Sequence, residues 1–356
     1  MPRRRMAPGR WIAAVLAAAA GMAVAGCGAG LPTISQSAAG HVSATGKAPA
    51  SSASPSSLDR PLAPLTGLAT ASAQAASAPA VALPVAGRDP QGLSSADVVY
   101  EEITSPVRYI AVFQSHAVQA VGPVTGTRPT DGQALSVLHP IYGYDGGTAP
   151  FVKVLDQTNV VDVGYASHPS LYHADAAGVT VSTSQIERAA RGSAPPQLFT
   201  YQGTRIENAP GFASGKTWRT SALQITAPGL GTQKWIFDAR TGRWAGASGG
   251  PPVQVVNVVV QIVPYKNVNL STRYGLTVPS TRVIGRGTAL MLSVTPGRPG
   301  TASSGVAVKG SWSKPGIQKV TSYLDSSGVP VGFQPGPTWV IFAPPGTQIT
   351  TTPDGP

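Results

Sequence analysis

The sequence predicts an α+β fold: a mixed α/β first domain over residues 88–240, followed by a β-rich, mainly antiparallel second domain over 245–345. Three observations predict it. Apolar strand-like runs alternate with short helix-like segments between residues 98 and 192. The composition changes after about residue 200, which puts a boundary in 205–245. VQVVNVVVQIV, residues 253–263, is the strongest strand signal in the chain, and further β-type runs follow it between Gly and Pro turns.

The chain opens with Arg3, Arg4, Arg5 and Arg10, then runs without charge from Trp11 to Gly26. That is the basic and apolar order of a signal peptide, residues 1–26, and sixteen apolar residues fall short of the roughly 20 a permanent span requires. Val24-Ala25-Gly26-Cys27 resembles the lipobox of bacterial lipoproteins, with Cys27, the single cysteine, as the lipidated nucleophile. More than one acyl chain on that residue gives stable anchoring, so the expected partner is the membrane, through an N-terminal lipid. Cleavage removes four arginines and no acids, leaving 22 basic against 15 acidic residues, or +7. The remaining basic residues form no dense tract, which argues against nucleic acid. With no second cysteine there is no disulfide, and the exported fold must rest on its core.

Residues 27–87 read as a flexible linker, because they are small, polar and proline-spotted and lack large apolar residues. PLAPLTGL, residues 61–68, is the one stretch in it apolar enough to dock. A chain of this length reaches roughly 40 Å. Order is expected from Gly92, with strands at Val98–Ile103 and 107–115. TRPTDGQALSVLHP then reads as a loop and a short helix, with Asp131 as its cap and Pro140 as its limit. Thr148 precedes a second helix, and Ser184 to Glu187 has the spacing of a capping box opening a third, with Gly192 as its stop. In the second half, strands are expected at 289–294, 305–312, 318–324 and 338–343. Each half is expected to fold independently.

No motif for a cofactor or metal emerges. GFASGKT, residues 211–217, has three residues where a phosphate loop needs four. His168 and His173 lack convergent ligands; zinc needs three or four. No G-x-S-x-G is present. Glu101 and Glu102 are adjacent on a strand and so point to opposite faces; one of them, with Asp131, Asp145 or Asp162, is a candidate pair for acid and base work on a glycan. The wider candidate binding set is Glu101, Glu102, Arg108, Arg128, Asp131, Asp145, His168 and Tyr172. Arg128 stands out, because a guanidinium fixed in the Gly- and Pro-rich GPVTGTRPTD loop can grip a carboxylate through two parallel bonds. The competing reading is an internal salt bridge to Glu101 or Asp131. Trp312 and Trp339 read either as core residues packed together or as an exposed platform.

GLSSADVVYEE (92–102), RYIAVFQS (108–115) and GPVTGTRPTD (122–131) occur in that order, with PLTGL (64–68) upstream and HPSLYHADAAGVTVSTSQI (168–186) downstream. VKGSWSK (308–314), YLDSSG (323–328) and PGPTWVIF (335–342) follow in the second half. Together these segments resemble the YerB-like bacterial lipoprotein family, whose domain has no assigned function and which carries a separate C-terminal domain. The chain departs from that pattern at Thr125, where an arginine is usual, and at AVALPVAGRDPQG, which lacks the usual Asp-Asn pair. The resemblance implies architecture and an envelope location, on the outer face of the bacterial cytoplasmic membrane. Two functions remain open: non-catalytic binding of an envelope partner or cell-wall component, and cleavage of cell-wall glycan by a hydrolase or lyase mechanism.

Overall fold

The computed structural model describes residues 60–203, 212–271, 276–297 and 302–354. Cys27, the signal segment and Gly211 of the GFASGKT run lie outside the described residues. Among the described residues no helix is long and apolar enough to cross a membrane.

The fold is mainly β and mainly antiparallel. Its centre is a 15-stranded sheet. Along it, the strands run 254–255, 243–248, 231–238, 217–227, 304–314, 285–295, 257–262, 338–343, 98–102, 108–113, 81–86, 141–142 and 161–162. Ser322–Asp325 pairs with the Ser304–Lys314 strand, and Gln348–Pro353 with the Thr217–Ala227 strand. Asn257–Ile262 and Thr338–Ala343 read as near-continuous apolar runs because both faces of the sheet are covered. Val258, Val260, Trp339 and Ile341 belong to the core on one face. Val259, Val263, Val340 and Phe342 belong to the core on the other. The α-helices of the described residues are short and all lie before residue 190.

The expected linker ends earlier than residue 87. Leu65 is fully buried, and Val81–Ala86 is an inner strand, antiparallel to Arg108–Phe113 and parallel to Ile141–Tyr142. Averaged composition hides this strand, because six apolar residues follow a long Ala- and Ser-rich run. Pro84 sits inside it, and its carbonyl accepts from the Thr125 N–H at 2.8 Å.

The sheet also runs across the expected division. Thr338–Ala343 lies between Asn257–Ile262 and Val98–Glu102, parallel to both. Each core draws on both halves: Leu83 and Val99 pack with Val258 and Trp339, and Tyr100 and Val112 with Val259 and Phe342. One sheet thus runs through both of the halves expected from the sequence.

Two helix starts differ from expectation. The first helix runs Pro129–Leu135, with Arg128 as its N-cap residue. Asp131 sits three positions in and accepts from the Arg128 backbone N–H at 2.9 Å. The helix tightens at Ser136–Leu138 and ends at His139, whose φ of 50° is left-handed, before Pro140. The helix expected to open with Ser184 runs Thr183–Ala189 from Ser182, so Ser184 lies inside it, and extended Ala190, not Gly192, ends it. The helix after Thr148 runs Ala149–Leu155 as expected.

Candidate functional site

Glu101 and Glu102 close one strand and, as a period of two requires, serve opposite faces. Glu101 is sealed into the face that carries Trp339. Its two oxygens accept from Gln233 Nε2 and, at 2.6 Å, from Trp339 Nε1. Burial pushes its carboxyl up to about 7, against the pull of those two hydrogen bonds.

Glu102 faces a buried ion network. The register places Arg108 directly across the strand pair from it, and Arg108 Nη1 lies 3.3 Å from Glu102 Oε2. Arg108 forks onto Asp131, with Nη1 to Oδ1 and Nη2 to Oδ2 both at 2.6 Å, and Nη2 also donates to the Gly126 carbonyl at 3.0 Å. Asp131 Oδ2 accepts further from the Tyr142 hydroxyl at 2.5 Å and from Thr127 Oγ1 at 3.3 Å. Arg108 is 1% exposed and Glu102 and Asp131 are 0% exposed. Burial on its own would lower the Arg108 pKa. The charge and hydrogen bonds of Asp131, then Glu102, outweigh it and hold the guanidinium above its ordinary value. The second half of the chain completes the network. Thr281 Oγ1 donates to Glu102 Oε1 at 3.2 Å, and the Tyr265 hydroxyl accepts the Ile103 N–H at 3.0 Å.

Arg128 is held differently. Its Nη1 stands 3.8 Å from Glu102 Oε2, an ion-pair distance too long for a hydrogen bond, and it makes neither of the side-chain pairs expected with Glu101 or Asp131. Burial lowers its pKa and the charge of Arg108 lowers it further, with Glu102 and Asp131 opposing. Arg128 and Arg108 both line an open cavity of about 280 Å³, together with Thr125, Gly126, Thr127, Gly147, Ala86, Pro106, Phe151 and Val278. Glu102 and Asp131 are not among its lining residues; they stand behind the guanidinium groups. Arg128 Nη1, Arg108 Nε and Thr125 Oγ1 are buried and lack a hydrogen-bond partner among the described residues. An unmet buried donor costs about 1–3 kcal/mol, more when charged.

Glycines shape the cavity mouth. A Cβ on Gly126 would stand 2.9 Å from the backbone N of Gly147, and Gly147 has a φ of +123°. The two loops therefore touch backbone to backbone, with Thr127 N–H donating to the Gly146 carbonyl and Asp145 N–H to that of Thr125.

The structure thus brings Glu102, Arg108, Arg128 and Asp131 together. Asp145 joins through its backbone alone among the bonds described. His168 and Tyr172 do not join. His168 Nδ1 pairs with Ser167 Oγ, and the Tyr172 hydroxyl donates to the Val163 carbonyl and accepts from the Tyr144 N–H. Trp312 and Trp339 are both buried, which removes the platform reading, but they belong to cores on opposite faces and do not pack together. Sequence reasoning missed Thr281, Phe151 and Val278, and for Tyr142 it missed the hydroxyl bond to Asp131. YGYDGG, with its paired glycines, carries the only local signal among these, that of a turn at the site.

Residues 65–211 match the N-terminal domain of a family described as a protein of unknown function, DUF3048, and residues 230–340 match its C-terminal domain. The chain belongs to the DUF3048 family. The crystal structure of the YerB protein from Bacillus subtilis is similar to this DUF3048 chain, with a TM-score of 0.63 and 19% identity, covering 81% of this chain and 99% of YerB. The family expected from the sequence is therefore the one shown. At this identity the likeness to YerB speaks for the fold alone. No functionally curated protein matches the chain.

Proposed function

We propose that this DUF3048 chain is a lipoprotein anchored through Cys27 to the outer face of the bacterial cytoplasmic membrane. It acts there as a non-catalytic binding module for a cell-wall fragment or envelope protein. In this reading residues 88–240 form the mixed α/β part of an α+β fold, and the recognition site is the cavity they line with Ala86 and Val278. One observation carries the binding role: Arg128 lines an open cavity while its Nη1, which is buried, has no hydrogen-bond partner among the described residues. A residue kept only for an internal salt bridge would close that bond on Glu102. The anchoring rests on VAGC behind a short apolar run.

The glycan-cleaving alternative finds less support. Glu101 is tied to Gln233 and Trp339, Glu102 is tied into the ion network, and the strand separates them. Neither lines the cavity.

Cys27→Ser tests the anchor. It abolishes lipid labelling and leaves the chain unprocessed or released; unchanged labelling and membrane retention would sink this part. Arg128→Ala tests the site. Loss of one charge-assisted pair costs about 1.5–3 kcal/mol, or roughly 10- to 150-fold in capture of wall fragments. Calorimetric melting of the same protein separates binding from folding. A strongly destabilised variant whose folded fraction still binds normally would refute the recognition role.

A further inference from the structure

We infer that the Arg108–Arg128 cavity receives a terminal carboxylate borne on a small apolar group, the chemistry of a short peptide's C-terminal residue. The inference rests on the binding reading above and adds to it the class of ligand. Three observations converge on it.

The first is the set of unmet groups. Arg108 Nε and Arg128 Nη1 can only donate, and Thr125 Oγ1 can donate or accept; all three are buried, unpartnered and on residues lining this one cavity. Arg108 as a whole is 99% buried, so its Nε cannot turn out to bulk water for a partner. What they lack is an acceptor that presents more than one oxygen. A carboxylate does so, in the plane that suits a guanidinium.

The second is charge. The cavity wall presents two guanidinium groups and no carboxylate. Behind the wall, Glu102 and Asp131 formally balance Arg108 and Arg128. A ligand's first negative charge meets the donors at the wall. The four groups sum to zero formal charge, so a second negative charge would add a desolvation cost without adding a donor to meet it. A monoanion therefore fits better than a phosphate dianion.

The third is size and lining. Ala86, Pro106, Phe151 and Val278 give the cavity apolar sides, and about 280 Å³ lies just below the usual range for drug-sized ligands. The space takes one residue-sized group and not an extended chain. The backbone hydrogen bonds from Thr127 N–H to the Gly146 carbonyl and from Asp145 N–H to the Thr125 carbonyl hold the two loops against spreading to admit more.

The test is calorimetric titration of the purified full chain with N-acetyl-alanyl-alanine in both enantiomers, with the C-terminal amide of each, and with inorganic phosphate, to millimolar concentrations. The free acid of at least one enantiomer is expected to bind at one site, at least 10-fold more tightly than its amide and more tightly than phosphate. Arg128→Gln should weaken binding 10- to 150-fold. Thr125→Val should weaken it severalfold without lowering the melting temperature, since that hydroxyl is buried and bonds nothing in the fold. Equal binding of acid and amide would overturn the carboxylate and leave the binding reading standing. Binding of phosphate alone would do the same. Binding of the acid that survives both Arg128→Gln and Thr125→Val would place it elsewhere and overturn the inference. No binding of any probe by folded protein would also overturn it, while capture of wall fragments by the same preparation would show the binding reading intact.

Discussion

Asp131→Asn is the sharpest probe of the ion network. The substitution keeps the shape and removes one charge. Asp131 accepts on Oδ1 from Arg108 and on Oδ2 from Arg108, Tyr142, Thr127 and the Arg128 N–H. All of these partners are donors, so an amide must turn its own NH₂ toward at least one of them. The least damaging orientation puts it against Arg108 Nη1. Arg108 then keeps Glu102 at 3.3 Å as its remaining counter-ion, while being 1% exposed. Removing one partner of a buried pair costs about 3–5 kcal/mol, which for a fold of this size lowers the melting temperature by roughly 6–20 °C. Urea unfolding followed by tryptophan fluorescence reads the change, since Trp244, Trp312 and Trp339 are buried. Adding Arg108→Gln removes the stranded cation, so the double variant should lose less than the sum of the two single losses. A loss below about 1 kcal/mol for Asp131→Asn, with additive effects in the double variant, would refute the view that this network is desolvated and coupled.

Glu101 makes stability depend on pH. Its folded carboxyl stands at about 7 against an ordinary 4.5, so the folded state holds its proton more tightly than the unfolded one, and stability falls as pH rises from about 4.5 to 7, by about 3 kcal/mol in all. Glu101→Gln should flatten that slope and be the more stable protein above pH 7, where the Gln233 amide can turn its unpartnered Oε1 toward the new NH₂; parallel stability curves for the two proteins would contradict this. Fragments 60–240 and 245–354 should each lack a cooperative melt, since the Thr338–Ala343 strand sits between Asn257–Ile262 and Val98–Glu102; a cooperative transition with native-like near-ultraviolet dichroism in either fragment would restore independent halves. Gly126→Ala forces a methyl within 2.9 Å of the Gly147 backbone and should cost about 1–3 kcal/mol in denaturant unfolding; a neutral result would mean that the two loops part freely.

The strands that could be read from the sequence are those whose burial leaves a local mark. TWVIFA and NVVVQI are near-continuous apolar runs because both their faces are covered, and the first runs Thr338–Ala343 as expected. The Thr217–Ala227 strand was not legible. Only four of its eleven residues are buried, and TWRTSALQITA mixes polar and apolar residues without clean alternation. The pairing of Thr338–Ala343 with Val98–Glu102 joins residues about 240 positions apart. A contact of that kind leaves no periodicity in either segment, so composition marks the division between the two matched domains, between residues 211 and 230, and not the sheet that joins them.

The site was legible to the extent that it is built from one hairpin and the loop that follows it. Period two separates Glu101 from Glu102, and the same register sets Arg108 against Glu102. What the sequence does not show is which bonds close. Elsewhere in the molecule buried carboxylates close theirs on backbone groups: Asp97 accepts from the N–H groups of Gln114 and Ser115, and Asp325 from those of Ser214, Gly215, Ser327 and Val329. Of the six unpartnered buried side-chain atoms among the described residues, three belong to the cavity-lining residues Arg108, Thr125 and Arg128. Buried ion pairs are weak evidence for stability, because replacing them with apolar residues is often neutral or better. A network selected for stability alone would either be apolar or complete. This one is complete on its inner side, where Asp131 is saturated, and open on its outer side, where the guanidinium groups meet the cavity. That asymmetry has a physical use: the inner carboxylates keep two arginines charged and aimed without consuming the donors that an incoming acceptor would need.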